Sequence, residues 1–238
     1  MVPEDQAHYR LLATQLGFIT NNPLPSDSLL DLALIYYNKE GNSLKLADVY
    51  YYKSLRSRTN QDYMQAILYC KEAERMAINT DDARLQFKIA ENLAYLNGLC
   101  ENDLLQLQYG KEALGIAQKV QNKNWMAYSF NKISFAFAHL GQYDSACYYI
   151  EKSIPYLDNV FETDKAQFLT NIGQLYKDKD NKKAKDYFKK ALTYGEHPGT
   201  LEHLADVYYA EGKKEEAYNL WKKALNADGR YDKWNIIY

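Results

Sequence analysis

Two pairs of side chains in this sequence have types and spacings that could support chemistry. Glu202 and Asp206 lie four residues apart, so on a helix both carboxylates would share one face. A general acid–base pair also needs burial or like-charge crowding to shift its pKa, and the surrounding sequence indicates neither. His197 and His203, six residues apart, would point to opposite sides of a helix rather than towards one metal ion. We therefore expect solvated surface rather than an active site at both places.

Sequence motifs for cofactors and nucleophiles are also absent. The sequence contains no G-x-G-x-x-G, no phosphate loop, no H-E-x-x-H, no G-x-S-x-G and no Cys/His spacing typical of zinc. Its three cysteines, Cys70, Cys100 and Cys147, include no C-x-x-C pair and are most simply small apolar residues of a core. We predict that the chain is not an enzyme and has no catalytic residue, no metal site and no cofactor.

The composition is typical of a soluble folded protein and argues against two classes of partner. Charged residues make up 25% and apolar residues 47% of the 238 residues, and the formal net charge is −2. Without a basic excess, we expect this segment to bind neither nucleic acid nor an anionic membrane surface. No apolar run reaches the length of a membrane helix, and the first residues lack the basic and apolar regions of a signal peptide.

The residue pattern predicts helices throughout. No proline occurs between Ser26 and Ile154, a stretch rich in Ala, Leu, Lys, Glu and Tyr, which favours helix. Acidic and hydroxyl residues such as those of Thr80-Asp81-Asp82 are typical of helix starts. Glycines suited to helix ends occur at Gly41, Gly98, Gly141 and Gly212. We predict an all-α chain of about twelve helices joined by short turns.

A repeat of small residues runs through most of the chain. Near the end of every second helix a small residue recurs at spacings of 40, 40, 40, 38 and 33 residues, namely Ala33, Ala73, Ala113, Ser153, Ala191 and Ala224. A further set marks the middle of each preceding helix: Ser54, Ala94, Ser134, Gly173 and Ala205. Small residues at such places let antiparallel helices approach closely.

The last unit carries the most specific pattern. It reads Leu201, Leu204-Ala205, Tyr208, Gly212, Ala217, Trp221 and Ala224-Leu225. This pattern resembles the tetratricopeptide repeat (TPR), and the resemblance extends over residues 42–238. Because the spacing of 40 exceeds the usual repeat length, the chain resembles the long-helix TPRs of peptide-pheromone regulators and kinesin light chains. The resemblance implies a right-handed α-solenoid of antiparallel helix hairpins.

The repeat boundaries divide one TPR domain, residues 1–238, into successive helix pairs. We expect an N-terminal capping pair at 1–41, followed by repeats at 42–79, 80–121, 122–159, 160–195 and 196–228. Residues 229–238 read as the start of a further helix, and apolar residues there, Trp234 and Ile236 among them, suggest a piece of a longer protein. The phrase Tyr9–Gln15 resembles the opening of bacterial TPR regulators in which an extracytoplasmic array precedes a membrane helix. That resemblance favours an extracytoplasmic location and leaves a cytoplasmic one open.

The concave groove of a TPR array is lined by the first helix of each pair, so outward residues there are ligand candidates. Counting from the mid-helix markers selects Tyr51, Arg58, Asn92, Tyr95, Asn131, Phe135, Asn171, Lys177, His203 and Tyr209. An Asn amide can both donate to and accept from a peptide backbone, and similar long-helix TPRs use Asn in that way. These Asn residues could instead bond neighbouring helices or water. Tyr51 and Leu55 stand where chaperone-type TPRs hold a carboxylate, so we expect that clamp to be absent.

Two functions remain open from the sequence. The first is a noncatalytic TPR scaffold that binds a peptide or protein segment in its groove, as the sensing or interaction region of a larger bacterial regulatory protein. The alternative is a structural adaptor that self-associates, as a homodimer, through an open C-terminal edge containing Ile237 and Tyr238. A hydrolase or transferase is disfavoured because no nucleophile–base or metal constellation is present.

Overall fold

The computed structural model describes residues 3–20, 27–177 and 179–227. Twelve α-helices and one short 3-10 helix occupy these residues, and no strand occurs among them. The helices are α1 Pro3–Thr20, α2 Asp27–Glu40, α3 Ser43–Thr59, α4 Tyr63–Ala77, α5 Ala83–Leu99, α6 Asp103–Lys119, α7 Lys123–His139, α8 Tyr143–Ser153, α9 Glu162–Tyr176, α10 Asn181–Leu192, α11 Pro198–Ala210 and α12 Lys214–Ala227, with the 3-10 helix at Ile154–Asn159. The prediction of an all-α chain of about twelve helices is confirmed.

Side-chain caps set several of the helix starts. Asn42 accepts a hydrogen bond from the backbone N–H of Lys45 at 3.0 Å, and Asp82 accepts one from Leu85 at 2.9 Å. Each cap satisfies one of the N–H groups that a first helical turn leaves without a partner. The predicted start at Thr80-Asp81-Asp82 therefore acts through its last residue, and α5 begins directly after it.

One predicted helix end is wrong. Gly98 lies inside α5 rather than in the turn, and the left-handed turn residue is Glu101, with φ of 59°. A Cβ on Gly98 would come within 2.9 Å of the Gln106 side chain. Gly98 is thus accounted for by the close packing of α5 on α6 and not by a turn.

The small residues of the repeat lie where consecutive helices pack most closely. Ala73, Ala94 and Ala191 are fully buried. At the corresponding place in α9, a Cβ on Gly173 would come within 2.5 Å of the Phe188 ring on α10. Two helices can approach this closely only if one of them carries a very small side chain, or none, at the point of contact.

The chain divides into two compact units, Met1–Ala136 and Phe137–Tyr238. In the first unit, consecutive hairpins from α1 to α6 enclose a core that includes Leu30, Ile89 and Leu93. In the second unit, α9 to α12 surround a core that includes Ile172 and Phe188. None of the described helices is both long enough and apolar enough to cross a lipid bilayer.

Candidate ligand-binding surfaces

The predicted ligand residues of the first unit fall on α3, α5 and α7. We call the surface formed by Tyr51, Arg58, Asn92, Tyr95, Asn131, Lys132 and Phe135 the α3–α5–α7 face. Its members recur at helical spacing on one side of each helix, and some of them are exposed whereas others are buried beneath them. The face is built from the same positions in successive helices, as the repeat predicts.

Asn92 is the most deeply placed residue of this face. Its amide oxygen accepts a hydrogen bond from Arg58 Nη1 at 2.7 Å, and its amide nitrogen donates to Ser54 Oγ at 2.9 Å. The side chain is fully buried. The repeat position of Asn92 predicts that it holds a ligand backbone, but both ends of its amide bond protein groups on α3. In this structure the Asn92 amide therefore orients Arg58.

Tyr51 and Asn131 are also buried, being 9% and 6% exposed. Burial raises the pKa of the Tyr51 hydroxyl well above its ordinary value of 10, and the nearby Glu91 carboxylate raises it further. These two residues therefore lie beneath the outer layer of the surface. Phe135 is partly buried.

Tyr95 is the exposed centre of the α3–α5–α7 face, with 37% of its surface accessible. The guanidinium carbon of Arg58 lies 5.1 Å from the ring centre, and Lys132 Nζ lies 4.4 Å from it. Cations on α3 and α7 thus contact one aromatic ring on α5, at distances where the ring quadrupole attracts them. Lys132 also forms an ion pair with Glu91 at 3.3 Å.

In the second unit, a row of polar contacts joins α9 to α11. We call its outward part, formed by Asn171, Gln174, Lys177, His203, Asp206 and Tyr209, the α9–α11 face. The row begins with the buried hydroxyls of Thr170 and Thr200, which lie 2.7 Å apart. Two further contacts join the helices: Gln174 Nε2 with His203 Nε2, and Lys177 Nζ with Asp206 Oδ2 at 2.6 Å. Within α9 itself, Gln167 Nε2 donates to Asn171 Oδ1 at 2.7 Å.

The carboxylate of Asp206 is held by two donors. Lys177 bonds one oxygen, and the indole nitrogen of Trp221 donates to the other at 3.3 Å. Beside Asp206, burial lowers the pKa of His203 below its ordinary value, and Lys177 lowers it further. Tyr209, 53% exposed, lies against Trp221 with ring centres 5.6 Å apart.

Two residues that belong to these contacts are missing from the predicted site residues. Lys88 Nζ lies 5.8 Å from the Tyr51 ring centre, and Trp221 bonds Asp206 as described. Lys88 could have been found from the sequence, because it precedes Tyr95 by seven residues and so shares its side of α5. The repeat pattern assigns Trp221 to packing, and no sequence signal indicates that its indole N–H would reach α11.

Cysteine, histidine and acidic groups elsewhere in the described part of the chain are the remaining candidates for thiol or metal chemistry. Burial raises the pKa of the Cys70 thiol to about 12, so that this sulfur is neutral at physiological pH. Within the described ranges, no three His, Cys, Asp or Glu side chains are grouped so as to hold a metal ion.

Comparison with known proteins identifies what the chain is similar to. No protein-family model matches it. Response regulator aspartate phosphatase E of Bacillus subtilis (strain 168) is 27% identical over 257 residues, which cover 95% of this chain and 66% of that protein. The chain thus spans about two thirds of this curated relative's length.

Solved structures with the same helical arrangement include a peptide complex and a sensor region. NprR in complex with its cognate peptide NprX superposes with a TM-score of 0.71 at 19% identity, covering 94% of this chain and 67% of NprR. A signal transduction ATPase from Pyrococcus horikoshii with a tetratricopeptide repeat sensor gives a TM-score of 0.77 at 15% identity, covering 100% of this chain and 38% of that protein. At such identities the likeness establishes the fold: the chain is an all-α helical-repeat protein of the tetratricopeptide type.

Proposed function

We propose that this chain is the peptide-binding TPR region of a regulatory protein and is itself noncatalytic. The observation that carries the proposal is the likeness, over 94% of the chain, to NprR in complex with its cognate peptide. A second observation also supports it. In both units the first helices of the hairpins carry outward polar and aromatic side chains, and an extended peptide could bind along them.

The two faces suit a peptide because they combine aromatic surface with fixed polar groups. Tyr95 and Tyr209 are exposed rings that can cover apolar side chains at a small cost in side-chain entropy. Arg58, Lys177 and His203 are partly buried and held in place by neighbouring helices, so little order is lost when they bond a ligand. Phe135 and Asn171 are partly buried and complete the proposed contact residues. Tyr51, Asn92 and Asn131 are buried beneath the α3–α5–α7 face.

Affinity selection tests the proposal with peptides of every sequence at once, so the ligand need not be identified first. A randomised hexapeptide library is incubated with the full chain, and retained peptides are identified by mass spectrometry and titrated by calorimetry. We expect Tyr95→Ala and Tyr209→Ala each to weaken a retained peptide by about tenfold. Tyr218→Ala is the matched control, because Tyr218 is 64% exposed on α12 and outside both faces. If no peptide is retained, or if Tyr218→Ala weakens binding as much, the proposal is wrong.

A second candidate is activity on a phosphorylated response regulator, which the name of the Bacillus subtilis relative favours. It is tested by following the loss of radiolabel from a panel of receiver domains phosphorylated on aspartate. Faster loss in the presence of the full chain would support this candidate and contradict the noncatalytic proposal. An unchanged rate would favour a region that only binds.

Self-association through a C-terminal edge is the alternative predicted from the sequence. The residues it would use, 229–238, lie outside the described residues. Sedimentation measures the oligomeric state of the full chain and of a chain ending at Gly229, and so tests whether the tail is needed for self-association. A dimer that requires the tail would support the adaptor, whereas a monomer in both cases would contradict it.

A further inference from the structure

Arg58 occupies an unusual electrostatic environment on the α3–α5–α7 face. Its guanidinium is partly buried between α3 and α5, where its contacts are the Asn92 amide oxygen at 2.7 Å and the Tyr95 ring at 5.1 Å. Both partners are neutral, and among the residues that the structure describes no carboxylate forms an ion pair with it. Arg75 on α4, by contrast, bonds the Glu72 carboxylate at 2.7 Å.

Burying a cation among neutral partners lowers the stability of the folded chain. We would not expect this at a residue whose role is only structural. Removing a charge from water is unfavourable unless an opposite charge or several hydrogen bonds compensate. A guanidinium has five N–H donors in a planar fork, and the contact with Asn92 engages Nη1 alone. The same fork matches the two oxygens of a carboxylate. Arg58 is therefore held in one orientation, and its remaining N–H groups can bind a carboxylate from outside the chain.

A second cation, Lys132 on α7, lies close to the same ring. Lys132 Nζ lies 4.4 Å from the Tyr95 ring centre, and the Arg58 guanidinium carbon lies 5.1 Å from it. The two positive charges are therefore close to each other. Glu91 is the acid next to Lys132, at 3.3 Å. With Arg58 and Lys132 against Glu91, the local balance is positive, and such a balance raises the local concentration of anions.

We propose that Arg58, Lys132 and Tyr95 form a carboxylate-binding subsite, which selects peptides that carry a free C-terminal carboxylate or an acidic side chain. The proposal rests on the proposed function, because it takes a peptide as the carrier of the carboxylate. Arg58 supplies the bidentate donor, Lys132 adds a second positive charge, and Tyr95 covers the adjoining apolar part of the ligand. Asn92 is a positioning residue that holds the guanidinium in place.

Two forms of one peptide library distinguish the sources of the carboxylate. Randomised hexapeptides are prepared as free acids and as C-terminal amides, and each pool is selected on the full chain. If the C-terminal carboxylate is bound, the free-acid pool is retained and the amide pool is lost. If an acidic side chain is bound, both pools are retained and both are enriched in Asp and Glu. Retained peptides without either preference would overturn the subsite while leaving peptide binding intact.

Two variants test the assignment at the level of single groups. Arg58→Gln removes the charge and is expected to weaken a selected acidic peptide by about tenfold or more, since hydrogen bonds to charged groups contribute that much. Asn92→Asp keeps the acceptor for Arg58 and gives it an internal carboxylate, so we expect a comparable loss of affinity in a chain that remains folded. Arg75→Gln, at an exposed and already paired arginine, is the control and should bind as the unmodified chain does.

The outcomes separate the subsite from the proposed function. If neither pool yields a ligand, peptide binding itself fails. If a peptide binds but its affinity is unchanged in Asn92→Asp, the carboxylate subsite is wrong and peptide binding stands. Circular dichroism of each variant confirms the helical fold, and Lys132→Gln provides a further charge removal should Arg58→Gln unfold.

Discussion

The side-chain amide nitrogen of Asn92 donates a hydrogen bond to Ser54 Oγ over 2.9 Å, inside the contact between α5 and α3. The same amide accepts from Arg58, so one buried side chain both joins two hairpins and orients a cation at their surface. Asn92 therefore contributes to the stability of the first unit as well as to the geometry of the proposed site.

Replacing Asn92 by Ala should destabilise the chain. The substitution removes the acceptor of Arg58 and the donor to Ser54 in a fully buried place, which costs about 1–3 kcal/mol. Asn171→Ala is the matched control at the same repeat position, where the amide bonds Gln167 on its own helix and the residue is partly exposed, and it should change stability by about 0.5 kcal/mol or less. Urea unfolding measures both. Equal effects would show that Asn92 has no special structural role.

Two glycines in helix interiors should respond in opposite directions to alanine. Gly173→Ala brings a Cβ within 2.5 Å of the Phe188 ring and should lower the free energy of unfolding by about 1–3 kcal/mol. A Cβ on Gly115, inside α6, has no neighbouring atom within 4 Å, so Gly115→Ala should raise it by about 0.5–1 kcal/mol. Thermal melting of both variants tests the packing of the repeat. Stabilisation by Gly173→Ala would contradict the close approach of α9 and α10.

The second unit should lose stability as the pH falls through the titration of His203. Burial, and then Lys177, lower the pKa of His203 in the folded chain, while Asp206 and Glu202 oppose the shift. Below about pH 6.5, the ordinary pKa of a histidine, the unfolded chain binds the proton more readily than the folded one. The free energy of unfolding is therefore unaffected by His203 above that pH and decreases below it.

The variant His203→Gln isolates this effect. Glutamine keeps a polar group next to Gln174 but cannot take up the proton, so urea unfolding at pH 7.5 and pH 5.5 should show a smaller difference for the variant than for the unmodified chain. An identical pH dependence in the two chains would assign it to other groups.

The three thiols should differ in reactivity. Cys70 is fully buried with a raised pKa, whereas Cys100 and Cys147 are only partly buried. A colorimetric thiol reagent at pH 8 should modify Cys100 and Cys147 in the folded chain and reach Cys70 only after guanidinium is added. Fast modification of all three thiols in the folded chain would contradict the burial of Cys70 between α4 and α5.

The repeat, and with it the fold, could be predicted from the sequence because small residues such as Ala73 and Ala113 recur at a constant spacing. Gly98 misled the prediction, since glycine serves a close approach as well as a turn. Glu101 could not be identified as the left-handed residue, because non-glycine side chains adopt that conformation only when the surrounding structure holds them there.

The side of each helix that carries the candidate residues could be predicted from the sequence, whereas their burial could not. Asn92 and Asn171 occupy the same place in their repeats, yet one is buried and the other is partly exposed. The difference depends on what the preceding helix offers, which for Asn92 is a serine hydroxyl and a guanidinium on α3. Repeat position defines which side of a helix a residue occupies, whereas burial depends on side chains about 38 residues away in sequence.

The most direct test of peptide binding at these surfaces is hydrogen–deuterium exchange of the full chain with and without a peptide retained from the hexapeptide library. We expect slower exchange in α5 and in α11, which carry Tyr95 and Tyr209, and little change in α4 and α12. Protection confined to α4 or α12, or no protection in the presence of saturating peptide, would contradict the assignment of the ligand to the first helices of the hairpins.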